Sequence, residues 1–292
     1  MANTLPSLTV LSEKALPVLT ASVPYLSAFT TDFSDEVATQ GSAITTTYSS
    51  AMTPTSYSSA TGYVGQDLSP TSVTTTLSTH VYNQRSFTDA EIANLGVERL
   101  IQTAIAPMIK GLVKKVGDDV FALVTTGNYT SVSYTGTGYT FPNIVSNSLA
   151  TLIVAGVGEE KAIVLNPTAY YGLLNDVKAV STIGDATLIR DGFISNLGGV
   201  AIARGDALPS TSNLFGFGCG KSAFTIAARV PNLAGVSPEL GEVANITDPS
   251  SGYTVQLRKW YSMDKGLWNI SAVTIYGVSK GNPSALTRLI TA

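Results

Sequence analysis

Residues Phe87-Thr-Asp-Ala-Glu-Ile92 open the segment that most constrains this chain. Thr88 stands three residues before Glu91. At that spacing a threonine hydroxyl and a glutamate carboxylate cap the first helical turn reciprocally, while Phe87 and Ile92 are placed to staple it from outside. Apolar residues then recur at helical intervals through Leu95, Ile101, Ile105, Met108, Leu112, Val116, Val120 and Val124. The pattern predicts one helix over 88–125, roughly 55 Å long at 1.5 Å per residue. Pro107 should kink it, and Gly111 and Gly117 should weaken it locally. A helix this long outruns an ordinary domain core, so it must act as a beam for other elements.

What precedes the helix has little core of its own. Between positions 40 and 85 the chain is dominated by Ser and Thr, and Asp67 is its only acidic residue. Ile44, Thr46 and Tyr48 alternate, as do Val73, Thr75, Leu77, Thr79 and Val81, with a Pro/Gly/Ser-rich stretch containing Tyr63 between them. This predicts two strands joined by a long excursion that ends near Arg85. A two-stranded hairpin is marginal alone, so it should lie against something else. Further upstream, Pro6, Pro17 and Pro24 interrupt scattered apolar positions, which predicts an extended arm with a short helix near 12–16.

Beyond the long helix the reading is a second helix over 141–157, a buried strand over 161–166 and a helix over 168–177. Asn166 caps that last helix, with Pro167 at its first position. Short strands follow near 200–203, 214–217 and 223–230. Alternating runs at 253–261 and 267–278 flank a turn at Met263-Asp-Lys-Gly266.

Chemistry is poorly supplied. Phe215-Gly-Phe-Gly-Cys-Gly-Lys-Ser222 ends like a phosphate-binding loop, but that motif needs a glycine where Phe215 stands, and Gly216 is one residue too close. The following Ser222–Val230 alternates as a strand and not as a helix, so the glycines read as a turn between two strands and Lys221 as a solvated or intersubunit charge. The only histidine, His80, lies inside a Thr-rich strand, which leaves no zinc motif and no second imidazole. The single Cys219 excludes an internal disulfide and reads as a small buried hydrophobe. Asp118-Asp119 and Glu159-Glu160 are adjacent pairs, which do not face each other on a helix. No catalytic, cofactor-binding or metal-binding residues are therefore expected. Charged residues make up 13% of the 292 positions, about half the roughly 25% of soluble proteins. With a net charge of −3 and no apolar run long enough to span a bilayer, this predicts a surface largely covered by other copies or partners and no membrane association, with a secreted Ser/Thr-rich surface protein as the rival reading.

Four segments, in order, resemble one family. Phe33-Ser-Asp-Glu-Val-Ala-Thr-Gln-Gly41-Ser-Ala-Ile44 resembles its passage from N-terminal arm into an extended loop. Lys161-Ala-Ile-Val-Leu-Asn-Pro167 with Tyr170, Leu173-Leu174, Arg190-Asp-Gly192-Phe-Ile194 and Leu197-Gly-Gly-Val200 resembles its axial-domain run. The stretch from Phe215 to Arg229 resembles the strand pair beyond, and Tyr261, Asp264, Tyr276-Gly277-Val278 and Pro283-Ser-Ala285 resemble the closing strands. The family is the major capsid proteins of tailed double-stranded DNA bacteriophages, with the Hong Kong 97-type fold.

The resemblance implies an α+β chain divided into an N-terminal arm (1–39) and an extended hairpin loop (40–86). It further implies a peripheral domain (87–160 and 234–271) carrying the spine helix 88–125, and an axial domain with a central mixed sheet (161–233 and 272–292). It implies pentamers and hexamers that close an icosahedral shell in the virion, assembled in the host bacterial cytoplasm. Gly41, Tyr48, Tyr63, Arg85, Thr88, Glu91, Pro107, Pro167, Gly192 and Gly277 are the candidate structural and assembly residues. Expected partners are further copies, a portal protein, a cement or decoration protein and packaged double-stranded DNA held without sequence specificity. The start at Met without a charged helical leader adds a separate scaffolding protein. Some relatives weld their shells through a loop lysine. Here no lysine lies between Lys14 and Lys110, so no such cross-link is expected. The competing readings are an encapsulin-like nanocompartment shell and a secreted Ser/Thr-rich adhesin or surface-layer protein, with an enzyme last.

Overall fold

The computed structural model describes residues 7–22, 24–48, 54–65, 70–88, 90–91, 97–179, 196–206, 208, 213–232, 241–249 and 251–291. The chain opens with a helix at Leu8–Ser22, a 3-10 turn at Pro24–Ala28 and strand β1 at Thr30–Ala38. The extended arm expected from the prolines is thus mostly helical, with Pro17 inside the helix. A proline there costs about 3 kcal/mol or more. Leu8, Leu11, Ala15 and Leu19 are all buried on one face, and each leucine contributes roughly 1.5–3 kcal/mol. Packing therefore outweighs the local penalty.

Strands β2 (Ala43–Tyr48) and β3 (Thr71–Thr76) form a separate antiparallel hairpin, and β4 (Thr79–Thr88) leaves it. The strand pattern that runs unbroken from Val73 to Val81 is therefore cut at Leu77–Ser78. The two-stranded hairpin ends there, and β4 joins the first of two six-stranded sheets. The long helix follows as Val97–Leu100, a π-helical turn at Ile101–Ile105, and Ala106–Ala122. Pro107 falls just past the π turn, which absorbs the residue that cannot donate to the ladder.

Next come β5 (Val132–Thr135), a helix over 142–154 that begins with a π turn at Pro142–Ser146, β6 (Lys161–Leu165) and the helix Pro167–Ala179. The chain finishes with β7 (Asn196–Leu197), β8 (Val200–Arg204), β9 (Leu214–Gly220), β10 (Phe224–Pro231), β11 (Glu242–Thr247), β12 (Thr254–Ser262), β13 (Leu267–Lys280) and β14 (Leu286–Ile290). The cap at Asn166 is present: its Oδ1 accepts the Ala169 N–H at 2.8 Å.

The first sheet runs β1-β10-β13-β12-β11, with β4 also on β13. Leu267–Val273 pair with both β4 and β12, and Ile275 and Tyr276 with both β4 and β10. A strand has only two edges, so β4 lines one and β12 and β10 share the other end to end. The second sheet, β5-β14-β9-β6-β8-β7, mixes parallel and antiparallel pairs. The expected division at 271/272 falls inside β13, β10 shares a sheet with β11 and β12, and β5 lies in the second sheet.

Alternation sorts the core. Ala162 and Val164 of β6 face the main core beneath the long helix, whereas Ile163 and Leu165 face a second core under the helices at 142–154 and 167–179. Phe215 and Phe217 are two residues apart, yet they join different cores. Leu289 pairs with Gly216 and Ile290 with Leu214, which leaves Phe215 as the extra residue of a β-bulge. The bulge re-aims its ring toward Tyr134 and Tyr139, while Phe217 meets Phe29, Phe121 and Phe224. Gly216, Gly218 and Gly220 lie within β9, not in the turn expected for them. The turn is Lys221–Ala223. A Cβ on Gly218 would come within 3.0 Å of buried Ser148, so that glycine lets the helix over 142–154 seat closely on the strand.

Candidate functional site

No group of three or more His, Cys, Asp and Glu side chains that could hold a metal occurs among the described residues. His80 sits exposed on β4 opposite Ile275. Burial pushes the Cys219 thiol far above its ordinary value, which keeps it protonated and unreactive. Lys221, the lysine of the phosphate-loop look-alike, pairs with Glu160 at 2.5 Å, and its turn is held by Glu159, which accepts from both the N–H and the hydroxyl of Ser222. A strand leaves that turn, so no helix N-terminus faces a phosphate. No described helix is long and apolar enough to cross a membrane.

The distinctive surface is the hairpin. At its root Gly41 adopts φ +95°, a conformation that favours glycine, and donates to Leu77 O at 2.9 Å. Leu77 packs with Ala227 and Ile275 over the first sheet, with Ile44 against them. Gly277 makes that approach possible: a Cβ there would stand 2.1 Å from Thr76 O. Tyr48 ends β2 opposite Thr71, half-buried. Residues 54–65 close through a Ser58–Gly62 bridge, which brings the Tyr57 and Tyr63 rings to 5.0 Å. Tyr63 is 93% exposed, and Tyr57 and Val64 are exposed beside it. Exposed apolar side chains occur elsewhere too, Val154 and Met263 among them, but here two aromatic rings and a valine cluster at one tip, and such patches mark interaction surfaces.

Behind the hairpin, β4 is tied to the long helix. Thr88 and Glu91 form the expected reciprocal cap: Thr88 N–H donates to Glu91 Oε2 at 2.8 Å, and Glu91 N–H to Thr88 Oγ1 at 3.3 Å. These bonds hold the Glu91 carboxyl below its ordinary value. Ile92, the expected staple partner of Phe87, lies outside the described residues, as does Gly192. Arg85 donates to Thr103 O at 2.8 Å and lies over the Phe87 ring. Pro167 opens a helix that packs on β6 and β9 of the second sheet, whereas Gly41, Tyr48 and Tyr63 lie on the hairpin, so the described candidate residues fall on separate elements.

Sequence reasoning missed the anchors of the N-terminal helix. Its first N–H, on Leu8, donates to Glu242 Oε2 at 2.7 Å, and Thr20 Oγ1 donates to Asp248 Oδ1 at 2.8 Å near its other end. Glu242 also accepts from Lys259, a 5% exposed ammonium, at 2.8 Å. Partial burial raises the Glu242 carboxyl, but the bonds from Lys259 and Leu8 outweigh it and hold the pKa below the ordinary range. Tyr57 was also missed, although it and Tyr63 flank the turn residues Ser-Ser-Ala-Thr-Gly symmetrically.

No family model and no curated protein matches the sequence. Solved structures do. The capsid of cyanophage A-1(L) is similar over 99% of this chain and 94% of its own, with a TM-score of 0.58 and 12% identity. A structure from Mycobacterium phage Che8 is similar over 85% and 84%, at 0.54 and 17%. The capsid of a native GTA particle is similar over 94% and 90%, at 0.53 and 15%. The fold is that of phage capsid chains, the Hong Kong 97-type fold that the residues resemble.

Proposed function

We propose that this chain is the major capsid protein of a tailed DNA phage, assembling into pentamers and hexamers that close an icosahedral head around double-stranded DNA. The observation that carries this reading is the extent of the likeness to capsid chains. At 99% of this chain it takes in the hairpin and the N-terminal helix as well as the two sheets. An isolated fold match leaves such appendages over; here they belong to the shared form.

The physical features agree. The hairpin beyond Ile44 has almost no core of its own, and its exposed Tyr57 and Tyr63 are suited to anchor on a neighbouring subunit. A charged fraction of 13% suits a surface that other copies cover. The role is structural and non-enzymatic. The second sheet forms the axial unit around the capsomer centre, and the head locates to the virion after assembly in the host cytoplasm. A separate scaffolding protein, a portal, a cement protein and non-specifically held DNA are the further partners.

Negative-stain electron microscopy of the expressed chain tests the reading. Uniform polyhedral or tubular particles are expected, and dispersed monomers at assembly concentrations would overturn it. Double-stranded DNA inside particles from infected cells is expected; a cargo enzyme in its place would make the shell a nanocompartment.

A further inference from the structure

A cleft of about 1020 Å³ opens between the N-terminal helix, the long helix and the β6–β8 side of the second sheet. That is the upper end of the roughly 300–1,000 Å³ typical of small-ligand pockets. Lys110 and Lys114 line it from the long helix, Lys161 from β6, Arg204 from β8 and Lys221 from the turn after β9. Against these five cations stand two lining carboxylates, Glu160 and Asp206. The whole chain carries −3, so the cleft gathers an excess of positive charge on an otherwise acidic protein. Its floor is small and apolar, with Ala201 and Ala203 of β8 beside Ala162 of β6, and Ala201 is exposed.

We propose that this cleft receives an acidic, amphipathic segment of a partner protein. Two observations favour a peptide over a nucleic acid. Three of the cations are already matched within the chain: Lys114 to Asp118 at 2.9 Å, Arg204 to Asp206 at 2.6 Å and Lys221 to Glu160 at 2.5 Å. Binding a phosphate backbone draws on counterion release from many unmatched cations, and few remain here. The alanine floor, in contrast, offers apolar contact that a phosphate backbone cannot use but leucine-like side chains can. Lys110 and Lys161 engage in none of the ion pairs among the described residues. Among the described residues, the Lys161 ammonium donates only to the backbone oxygen of Glu159, at 3.2 Å. They are the two charges left to steer an acidic segment onto that floor. The proposal rests on the cleft alone and does not depend on shell assembly.

Fluorescence anisotropy of the full chain with three labelled probes tests it. The probes are a helical peptide with Glu on one face and Leu on the other, the same peptide with Lys for every Glu, and oligothymidylate of equal length. The acidic peptide should bind, and the other two should not. Lys110→Glu combined with Lys161→Gln should weaken binding about tenfold. Ala201→Trp fills the floor without changing charge and should weaken it by a similar factor. Circular dichroism establishes that each variant is folded. The proposal is overturned if the acidic peptide fails to bind, if the lysine peptide or the oligonucleotide binds as well, or if Ala201→Trp binds like the parent chain.

Discussion

Arg85 Nη1 donates to Thr103 O at 2.8 Å, and Thr103 is the residue whose helical partner, four positions on, is Pro107. A proline has no N–H to give, so a strand residue supplies the missing hydrogen bond from outside the helix. Asn83, two residues earlier on β4, also reaches the helix, donating to Met108 O at 2.9 Å, although that carbonyl faces Leu112 and not a proline at the helical spacing.

This arrangement predicts a specific coupling. Arg85→Met should lower the stability of the unassembled chain by about 1 kcal/mol, the net worth of a typical hydrogen bond. In a Pro107→Ala background the helix regains its own donor, and the same substitution should cost about half as much. Urea midpoints of the four proteins give the answer, and equal costs in both backgrounds would refute the compensation.

Gly277→Ala should unseat the hairpin. The new Cβ would stand 2.1 Å from a backbone oxygen, Thr76 O, which cannot swing aside as a side chain can. Overpacking of this kind costs about 1–3 kcal/mol. Amides of Ala43–Tyr48 and Thr71–Thr76 should exchange faster, while those of β12 stay protected. Unchanged exchange in the hairpin would show that the close approach is dispensable.

Asn269 is a polar hub buried in β13. Its Oδ1 accepts from Ser86 at 2.7 Å and Gln84 at 3.1 Å, and its Nδ2 donates to Ser262 at 2.8 Å. Asn269→Leu should destabilise by roughly 1–3 kcal/mol per the cost of stranded buried polar partners. Thermal denaturation reads it, and a neutral result would mean that water replaces all three bonds.

Acid should loosen the N-terminal helix before the rest of the fold. The Glu242 carboxyl has a folded pKa below its ordinary value. Its stabilising contribution is therefore fully present above the unfolded pKa, near 4.3, and is lost as pH falls through the lower folded value. Protonation would strip the charge partner from Lys259 and weaken the cap on Leu8. Hydrogen exchange over Leu8–Ser22 should rise selectively in that window. Glu242→Gln, which cannot titrate, should show raised exchange already at neutral pH and a smaller acid response.

Shells should carry no covalent weld through the hairpin, which has no lysine anywhere between Lys14 and Lys110. Boiled samples of mature particles should run as one band near 30.4 kDa on denaturing gels. Resistant bands at multiples of that mass would contradict this.

What the sequence made legible follows a physical rule. The Thr88–Glu91 cap and the Asn166–Pro167 start are written in residues no more than three apart, and both appear as expected. Of the N-terminal helix only a short piece near 12–16 was legible, because Pro17 argues locally against its full length while the opposing argument lies in distant Glu242 and Asp248. The break at Ser78 was hidden for another reason. Alternation has period two on both sides of it and says nothing about a strand leaving one sheet for another. The Phe215 bulge escaped similarly, since a strand's pattern does not reveal an extra residue until its partners are known. Of the candidate surface, the uncharged hairpin was plain in composition, and Tyr63 was singled out without its companion Tyr57.

The end-to-end meeting of β10 and β12 along β13 has a mechanical meaning. Neither short strand continues past the joint on that edge, so a pull along the strand direction that tends to part them loads β13. It is shared with β4 on the opposite edge, whose pairs from Thr79 to Thr88 span the gap. Hydrogen bonds perpendicular to such a pull are sheared together and not peeled one by one. β13 and β4 therefore act as a splice plate across a butt joint, and the same β4 is the strand from which the hairpin at one end and the long helix at the other both depart. Tension arriving through either appendage would pass into the most redundantly bonded strand of the sheet.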